Sequence, residues 1–319
     1  MFTLAELDAA EAIVRRHIAP TPQYAWPLLG AEVGTETWVK HENHTLAGAF
    51  KVRGGLVYVE QLAGSADAPA GLITATRGNH GQSIAFAGRA AGLPVTIVVP
   101  HGNSIEKNAA MVGFGAELIE HGHDFQASRE HAAKLAAERG LAMVPPFHRT
   151  LVRGVATYAR ELLTAADFDA VYVPVGMGSG ICGMITVRDL LGLRTEVIGV
   201  VAERAPATKL SVESGTMVSA PAVTFIDGVA VRVPDEEAVA VIAGGAERLV
   251  AISEDDCAEA IRVLLRTTHN VPEPAGAAAL AGLLQEGEQR GRRVAVVLSG
   301  GNLDGALLAQ VLAGVTPTP

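Results

Sequence analysis

Lysine is scarce in this chain: Lys40, Lys51, Lys107, Lys134 and Lys209 stand against twenty arginines. One of them, Lys51, sits in the glycine-rich run Gly48-Ala49-Phe50-Lys51-Val52-Arg53-Gly54-Gly55. The run predicts a lysine just inside a helix start, where the positive helix end and Arg53 disfavour the ammonium form. An amine freed of its proton is the nucleophile needed to attack an aldehyde. The competing reading is a lysine exposed on a helix surface, the usual situation for this residue.

Three more glycine-rich turns have the residues to receive an anion. Gly176-Met177-Gly178-Ser179-Gly180 follows the apolar run Val171-Tyr172-Val173-Pro174-Val175. Its glycines let backbone N–H groups close around a phosphate, and Ser179 adds a hydroxyl; a plain strand-to-helix turn is the alternative. Thr76-Arg77-Gly78-Asn79-His80-Gly81 also leaves a strand and opens a helix, so it either caps that helix or grips a carboxylate. Ser299-Gly300-Gly301-Asn302 closes a strand near the C-terminus, where Ser299 alternatively satisfies only local backbone groups. Gly176, Gly178 and Glu203 also admit a nicotinamide-dinucleotide site. The spacing to Gly180 and Gly183 is imperfect for it, and it leaves Lys51 and Asn79 unexplained.

The elements that must position these turns are strands alternating with helices. Short β-branched runs predict strands over 36–42, 71–76, 95–99, 116–120, 142–144, 170–175, 196–202 and 294–298. Ala-rich amphipathic stretches predict helices over 3–18, 48–62, 79–91, 105–114, 126–138, 151–162, 179–191, 236–249, 254–268 and 275–288. This alternation is the pattern of an α/β protein with two open, mostly parallel, doubly wound sheets. With 319 residues, two compact units are expected: a large cofactor-binding one from 1–46 and 148–319, and a small one from 47–147. The tail, 313–319, should fray.

Composition narrows the partners. Aromatics are 4% of residues against 49% hydrophobic, so Ala, Val, Leu and Ile must build helix-covered sheets. The net charge of -9 has no long single-sign run, which argues against nucleic acid and anionic membrane and for a small molecule. No apolar run is long enough to span a membrane, and the first helix carries Glu6, Asp8 and Glu11, unlike a signal peptide. A cytoplasmic protein is expected. Cys182 and Cys257, far apart and without nearby ligands, suggest neither a disulfide nor a zinc site.

Taken in order from Lys40 to Asp304, these segments resemble the fold-type II pyridoxal-phosphate enzymes, in particular serine/threonine dehydratases and the similar serine racemases. The resemblance implies pyridoxal 5'-phosphate as cofactor, bound covalently through Lys51, with Phe50 on one side of its ring and the backbone of Gly228 on the other. It implies that Gly176, Met177, Gly178, Ser179 and Gly180 hold the phosphate, that Asn79 bonds the phenolic oxygen, and that Ser299 faces the pyridine nitrogen. Glu273, in Pro272-Glu273-Pro274, matches a glutamate near the cofactor. The loop of Thr76, Arg77, Gly78 and His80 would hold the substrate carboxylate. Lys51 would then take the α-proton, and loss of a β-hydroxyl would give a 2-oxo acid and ammonia. L-threonine or L-serine is the expected substrate, and a homodimer the expected assembly.

Four departures from the family pattern shape the expectation. Arg77 stands where serine racemases have a serine that carries a proton, and arginine cannot do so at neutral pH, which demotes racemisation to the runner-up. Arg77 either lies on the surface or turns inward to pair with an extra substrate carboxylate, as in 3-hydroxyaspartate. His148, Arg149 and Arg153 occupy a loop that would recharge or widen the pocket, admitting a phenyl substituent as in phenylserine, unless they are merely solvated. Glu203 and Ala207 match two positions of a divalent-cation site, but Lys209 replaces its aspartate, so no metal dependence is expected, and Lys209 is a candidate partner for Glu203. The chain ends about fifteen residues after Asp304, so no regulatory domain and no isoleucine feedback are expected. A non-catalytic sensor that kept the phosphate loop would be expected to have lost Lys51 or Asn79, and both are present.

Overall fold

The computed structural model describes every residue except Glu288, Arg290 and Pro319. Among the described residues ten strands form two sheets. In chain order they are β1 (Gln23–Ala25), β2 (Glu36–His41), β3 (Leu72–Ala75), β4 (Val95–Val99), β5 (Glu117–Glu120), β6 (Ala142–Met143), β7 (Ala170–Pro174), β8 (Glu196–Ala202), β9 (Arg248–Ile252) and β10 (Arg293–Leu298). The six-stranded sheet runs β1-β2-β10-β7-β8-β9 and the four-stranded sheet β5-β4-β3-β6. Every pairing is parallel except β1 with β2. The fold class is the α/β one the alternation predicted.

Parallel strands need long crossovers, and helices supply them while burying both faces. On one face of the large sheet Tyr172, Ile198, Val200 and Val296 pack under helix Pro274–Glu286; on the other, Val171, Val173, Val197 and Val201 pack under helices Arg149–Leu163 and Ser179–Leu190. The small sheet is covered in the same way, Leu72, Val95, Ile97 and Val99 facing helices Lys51–Ala63 and Asn79–Ala91. Each of the three predicted turns leaves the carboxyl end of a strand: residues 76–81 after β3, 176–180 after β7 and 299–302 after β10. That is the edge at which open α/β sheets bind ligands.

Some local expectations change. Helix Glu236–Gly245 stops short of residue 249, because Gly244 and Gly245 favour the helix least and Ala246 turns extended. Residues 248–252 then become β9, with Leu249 registered against Gly199. The helix expected from residue 48 begins at Lys51, since Gly48 takes a left-handed φ of 65° and room for a Cβ there is filled by the Asn302 amide. Short elements without strong periodicity, β1 and helices Pro27–Val33, Ala207–Ser214 and Gly305–Leu312, were not anticipated. Helix Pro274–Glu286 begins one residue before the predicted 275–288 stretch, whose last residue lies outside the described residues, as does the end of the predicted frayed tail, Pro319.

Candidate active site

Lys51 is placed by the chain on either side of it. The Phe50 amide donates to the Ser299 carbonyl at 3.0 Å, and Ala49 bridges Gly300, so the helix start is stitched to the end of β10. The Thr45 hydroxyl accepts from the Ala49 amide at 3.0 Å and donates to its carbonyl at 2.9 Å. Two residues on, Arg53 is fully buried and turned away toward the large sheet. Its guanidinium meets Glu42 at 2.7 Å and Glu161 at 2.7 Å, and Lys40 reaches Glu161 at 2.5 Å. Arg53 is therefore an anchor, not the charge that tunes Lys51. Burial holds the Lys51 ammonium below the usual lysine range, Glu273 and Asp227 oppose this, and the like charge that reinforces it is Lys107.

One cleft is lined by Phe50, Lys51, Asn79, residues 176–180, Gly228, Glu273 and Ser299, together with Pro146, Pro174, Val229 and Ala275. All the residues assigned to the cofactor from the sequence thus come together. A wider hollow of about 530 Å³ beside Trp26 and Gly30 contains one ionisable lining residue, Glu36, and that is already paired with Arg293 at 2.8 Å, so the chemistry belongs to the Lys51 cleft.

Turn 176–180 has the form of an anion cradle. A Cβ on Gly176 would overlap the Gly228 carbonyl, and Gly178 holds φ 97° with Ala238 Cβ at 2.8 Å from where its own Cβ would be. Only glycine permits this close backbone, and it delivers the unpartnered first-turn amides of helix Ser179–Leu190 to the cleft. Tyr158 braces the site: its hydroxyl donates to the Gly180 carbonyl at 3.2 Å, and its ring meets Phe50 edge-on at 6.0 Å. The Ser299 hydroxyl is buried and makes one long bond, 3.4 Å to the Ala275 carbonyl. A ring-shaped phosphate ester with an aldehyde fits this set: an amine of lowered proton affinity, a glycine cradle and an under-used hydroxyl.

The loop after β3 folds on itself. Thr76 Oγ1 accepts from the amides of Gly78 at 3.0 Å and Gly81 at 3.4 Å, so Thr76 shapes the loop from behind. Gly78 packs tightly on Lys107, whose Cδ is 2.6 Å from where a Cβ would be. Asn79 donates from Nδ2 to Glu273 Oε1 at 2.5 Å and accepts from Asn302 Nδ2 at 2.8 Å. Glu273 is 1% exposed, its Oε2 has no hydrogen-bond partner among the described residues, and burial raises its pKa against the pull of Lys107. His80 is buried behind the loop, its pKa pushed down to about 3 by burial and by Lys51, so its imidazole is neutral.

None of the five residues assigned to the substrate lines the cleft: Thr76, Gly78 and His80 are buried in or behind the loop, and Arg77 and His148 are exposed outside it. Arg77 is exposed on the outer side of the loop, where its charge acts on Asp124. His148 is an exposed helix cap: Nδ1 accepts from the Thr150 amide at 3.1 Å and the ring stacks edge-on against Tyr58. Its neighbours are spent elsewhere, Arg149 on Glu237 and Arg153 on Glu6 at 3.1 Å. Lys209 pairs with Glu213 and the Leu249 carbonyl rather than with Glu203. Sequence reasoning missed Lys107, Asp227 and Asn302. Lys107 binds Asp227 at 2.6 Å and lies 4.0 Å from Glu273. The scarcity of lysine was the one signal that pointed to it.

Comparison with known proteins agrees with this geometry. Residues 14–300 match the family described as pyridoxal-phosphate dependent enzyme. The L-threonine ammonia-lyase of Thermotoga maritima is 30% identical over 315 residues, 98% of this chain and 78% of that protein. The L-threo-3-hydroxyaspartate ammonia-lyase of Saccharomyces cerevisiae is 30% identical over 318 residues, 98% of this chain and 97% of that one. Among solved structures, a pyridoxal 5'-phosphate-dependent aspartate racemase superimposes with a TM-score of 0.90 at 26% identity, covering 96% of this chain and 97% of that one. A family match across most of the chain, two relatives at 30% identity that each cover 98% of it and a cleft built around a half-buried lysine place the chain in the pyridoxal-phosphate dependent enzyme family.

Proposed function

We propose that this enzyme eliminates water from a small β-hydroxy amino acid, L-threonine or L-serine first, and that hydrolysis of the resulting enamine takes up water again and releases ammonia to give a 2-oxo acid. The observation that carries the reading is the facing of Lys51, an amine whose charge is disfavoured by burial, with a glycine cradle on one side and the 76–81 loop on the other. Pyridoxal phosphate, when bound, supplies an electron sink for the charge left at the α-carbon. Residues 176–180 would hold its phosphate, Phe50 and Gly228 would enclose its ring, Ser299 would face the ring nitrogen and Asn79 the ring oxygen. The amides of the 76–81 loop and the first turn of helix Asn79–Ala91 hold the substrate carboxylate. Lys51 Nζ takes the α-proton, and a neutral amine is the form able to do so. A hydroxyl at the ring nitrogen, unlike a carboxylate, does not favour its protonation, which suits prompt loss of the β-hydroxyl over repeated proton exchange.

Racemisation requires a second proton carrier on the far face, and Arg77, on the outer side of its loop, does not supply one. The same placement of Arg77 and His148 leaves neither an extra carboxylate nor a phenyl group a partner from these residues, which favours threonine and serine over 3-hydroxyaspartate and phenylserine. The test is incubation of the holoenzyme with threo and erythro isomers of all four amino acids, followed by assay of 2-oxo acid, ammonia and chirality. Inverted amino acid without 2-oxo acid would discard elimination. The proposed body has lobes 1–46 with 148–319 and 47–147, supported by the confinement of β3 to β6 to residues 72–143. Its proposed working form is a cytoplasmic homodimer, and a monomer in sedimentation would discard that.

A further inference from the structure

The charge cluster at the mouth of the 76–81 loop is larger than the reaction needs. Lys107 comes from helix Ile105–Gly113, which follows β4, whereas Asp227 and Glu273 belong to segments packed on the large sheet. The lysine stem lies against Gly78, and its ammonium is 2.6 Å from Asp227 Oδ2 and 4.0 Å from Glu273 Oε2. Glu273 in turn fixes the Asn79 amide at 2.5 Å, and Asn302 fixes the other end of that amide. Two further ties join the same helix start to the large sheet: Ser104 Oγ donates to Asp304 at 2.5 Å, and the Gly305 amide donates to Glu106 at 2.9 Å.

We propose that Lys107 is a positioning residue whose ammonium, clasped between Asp227 and Glu273, holds the 76–81 loop and Asn79 in register with the cleft. Burial works against a charged Lys107, but Asp227 and Glu273 outweigh it and keep its pKa above the usual lysine value. An uncharged side chain of similar length fills the space against Gly78 and cannot hold the two carboxylates. The loop amides and Asn79 then lose the support that aligns them with a bound carboxylate. The inference rests on the elimination reading for its substrate, and on geometry alone for the loop.

The experiment uses holoenzyme of Lys107→Met, Lys107→Arg and Asp227→Asn. Hydrogen exchange is followed in the peptide covering residues 76–86, which includes the Gly78 and Gly81 amides bonded to Thr76, with β7 and β8 as internal reference. Lys107→Met should speed exchange in that peptide by about tenfold and leave β7 and β8 unchanged, with Lys107→Arg recovering most of the loss. The KM for the preferred hydroxy amino acid should rise by about tenfold, more than kcat falls, with cofactor absorbance retained. Combining Lys107→Met with Asp227→Asn should slow or weaken the enzyme no more than Lys107→Met alone; multiplied effects would break the pair. Exchange within about twofold of wild type overturns the proposal whatever the kinetics. If Lys107→Met does not fold, Asp227→Asn carries the same exchange test. A wild type that turns over no amino acid refutes the elimination reading and leaves the exchange result to decide Lys107.

Discussion

Replacing Arg53 by methionine should unfold the enzyme more readily without altering the proton affinity of Lys51. The guanidinium donates to Glu42 at 2.7 and 3.0 Å, to Glu161 at 2.7 and 3.0 Å, and to Thr157 at 3.0 Å, all inside the protein. Methionine fills much of the same space but leaves Glu42, 0% exposed, with the Thr21 hydroxyl at 2.6 Å as its remaining hydrogen-bond donor. Lys40 and Arg15 then remain as the cations that answer Glu161. Breaking a buried ion pair by removing one partner costs about 3–5 kcal/mol, or roughly two to four orders of magnitude in the folded-to-unfolded ratio. Urea unfolding followed by circular dichroism measures this, with an unchanged slope and a lowered midpoint expected. Because Arg53 tethers the helix that Lys51 opens, cofactor should be lost at lower urea than in wild type. A stability loss under about 1 kcal/mol would refute the account of Arg53 as an anchor, and an altered pH profile of Lys51 reactivity would restore it as a tuning charge.

Glu161 supplies the pH dependence. Burial raises its pKa, but Arg53 and Lys40 outweigh this and hold the carboxyl at about 2, against an ordinary 4.5. A folded pKa below the unfolded one gives stability that is complete above about pH 4.5 and is lost as pH falls toward 2, worth about 3 kcal/mol in all. The stability difference between wild type and Glu161→Gln should therefore shrink between pH 6 and pH 3, and a constant difference would show that the carboxylate is not held this way. Gly178→Ala and Gly192→Ala form a matched pair, since both glycines have positive φ, 97° and 64°, but a Cβ at 178 meets Ala238 at 2.8 Å and one at 192 meets nothing. Both should lose about 1–2 kcal/mol of stability from backbone strain, and only Gly178→Ala should bind pyridoxal phosphate more weakly, by about tenfold or more in titration of the apoenzyme. Equal cofactor affinity in the two would remove residues 176–180 from the phosphate site.

The buried strands were legible because β-branched runs such as Val95 to Val99 and Val171 to Val175 have no polar alternation to confuse them. Residues 176–180, Asn79 and Ser299 were legible because glycine turns at strand ends mark where backbone must approach a ligand, whereas Phe50, Gly228 and Glu273 came only from the family resemblance. The limits of sequence reasoning show in the charges. Arg53 lies two positions from Lys51 in sequence yet points to the opposite side of the helix and is neutralised by Glu42 and Glu161. Lys107 lies fifty-six positions further on and is the cation that Lys51 feels. Adjacent residues on a helix do not share a face, and partners brought together by folding of two sheets leave no spacing to read. Arg77 and His148 were left with two readings for a related reason: a charged residue beside a binding loop serves equally well as a surface residue or a helix cap, and only its surroundings decide which.

The central claim is that Lys51 carries the cofactor. Borohydride reduction of the protein as isolated, followed by digestion and mass spectrometry, fixes the carbon–nitrogen link wherever it lies. The account predicts a phosphopyridoxyl mass on the peptide containing Lys51 and none on those containing Lys40, Lys107, Lys134 or Lys209. A label on any other lysine, or no label in protein that binds pyridoxal phosphate, would contradict it.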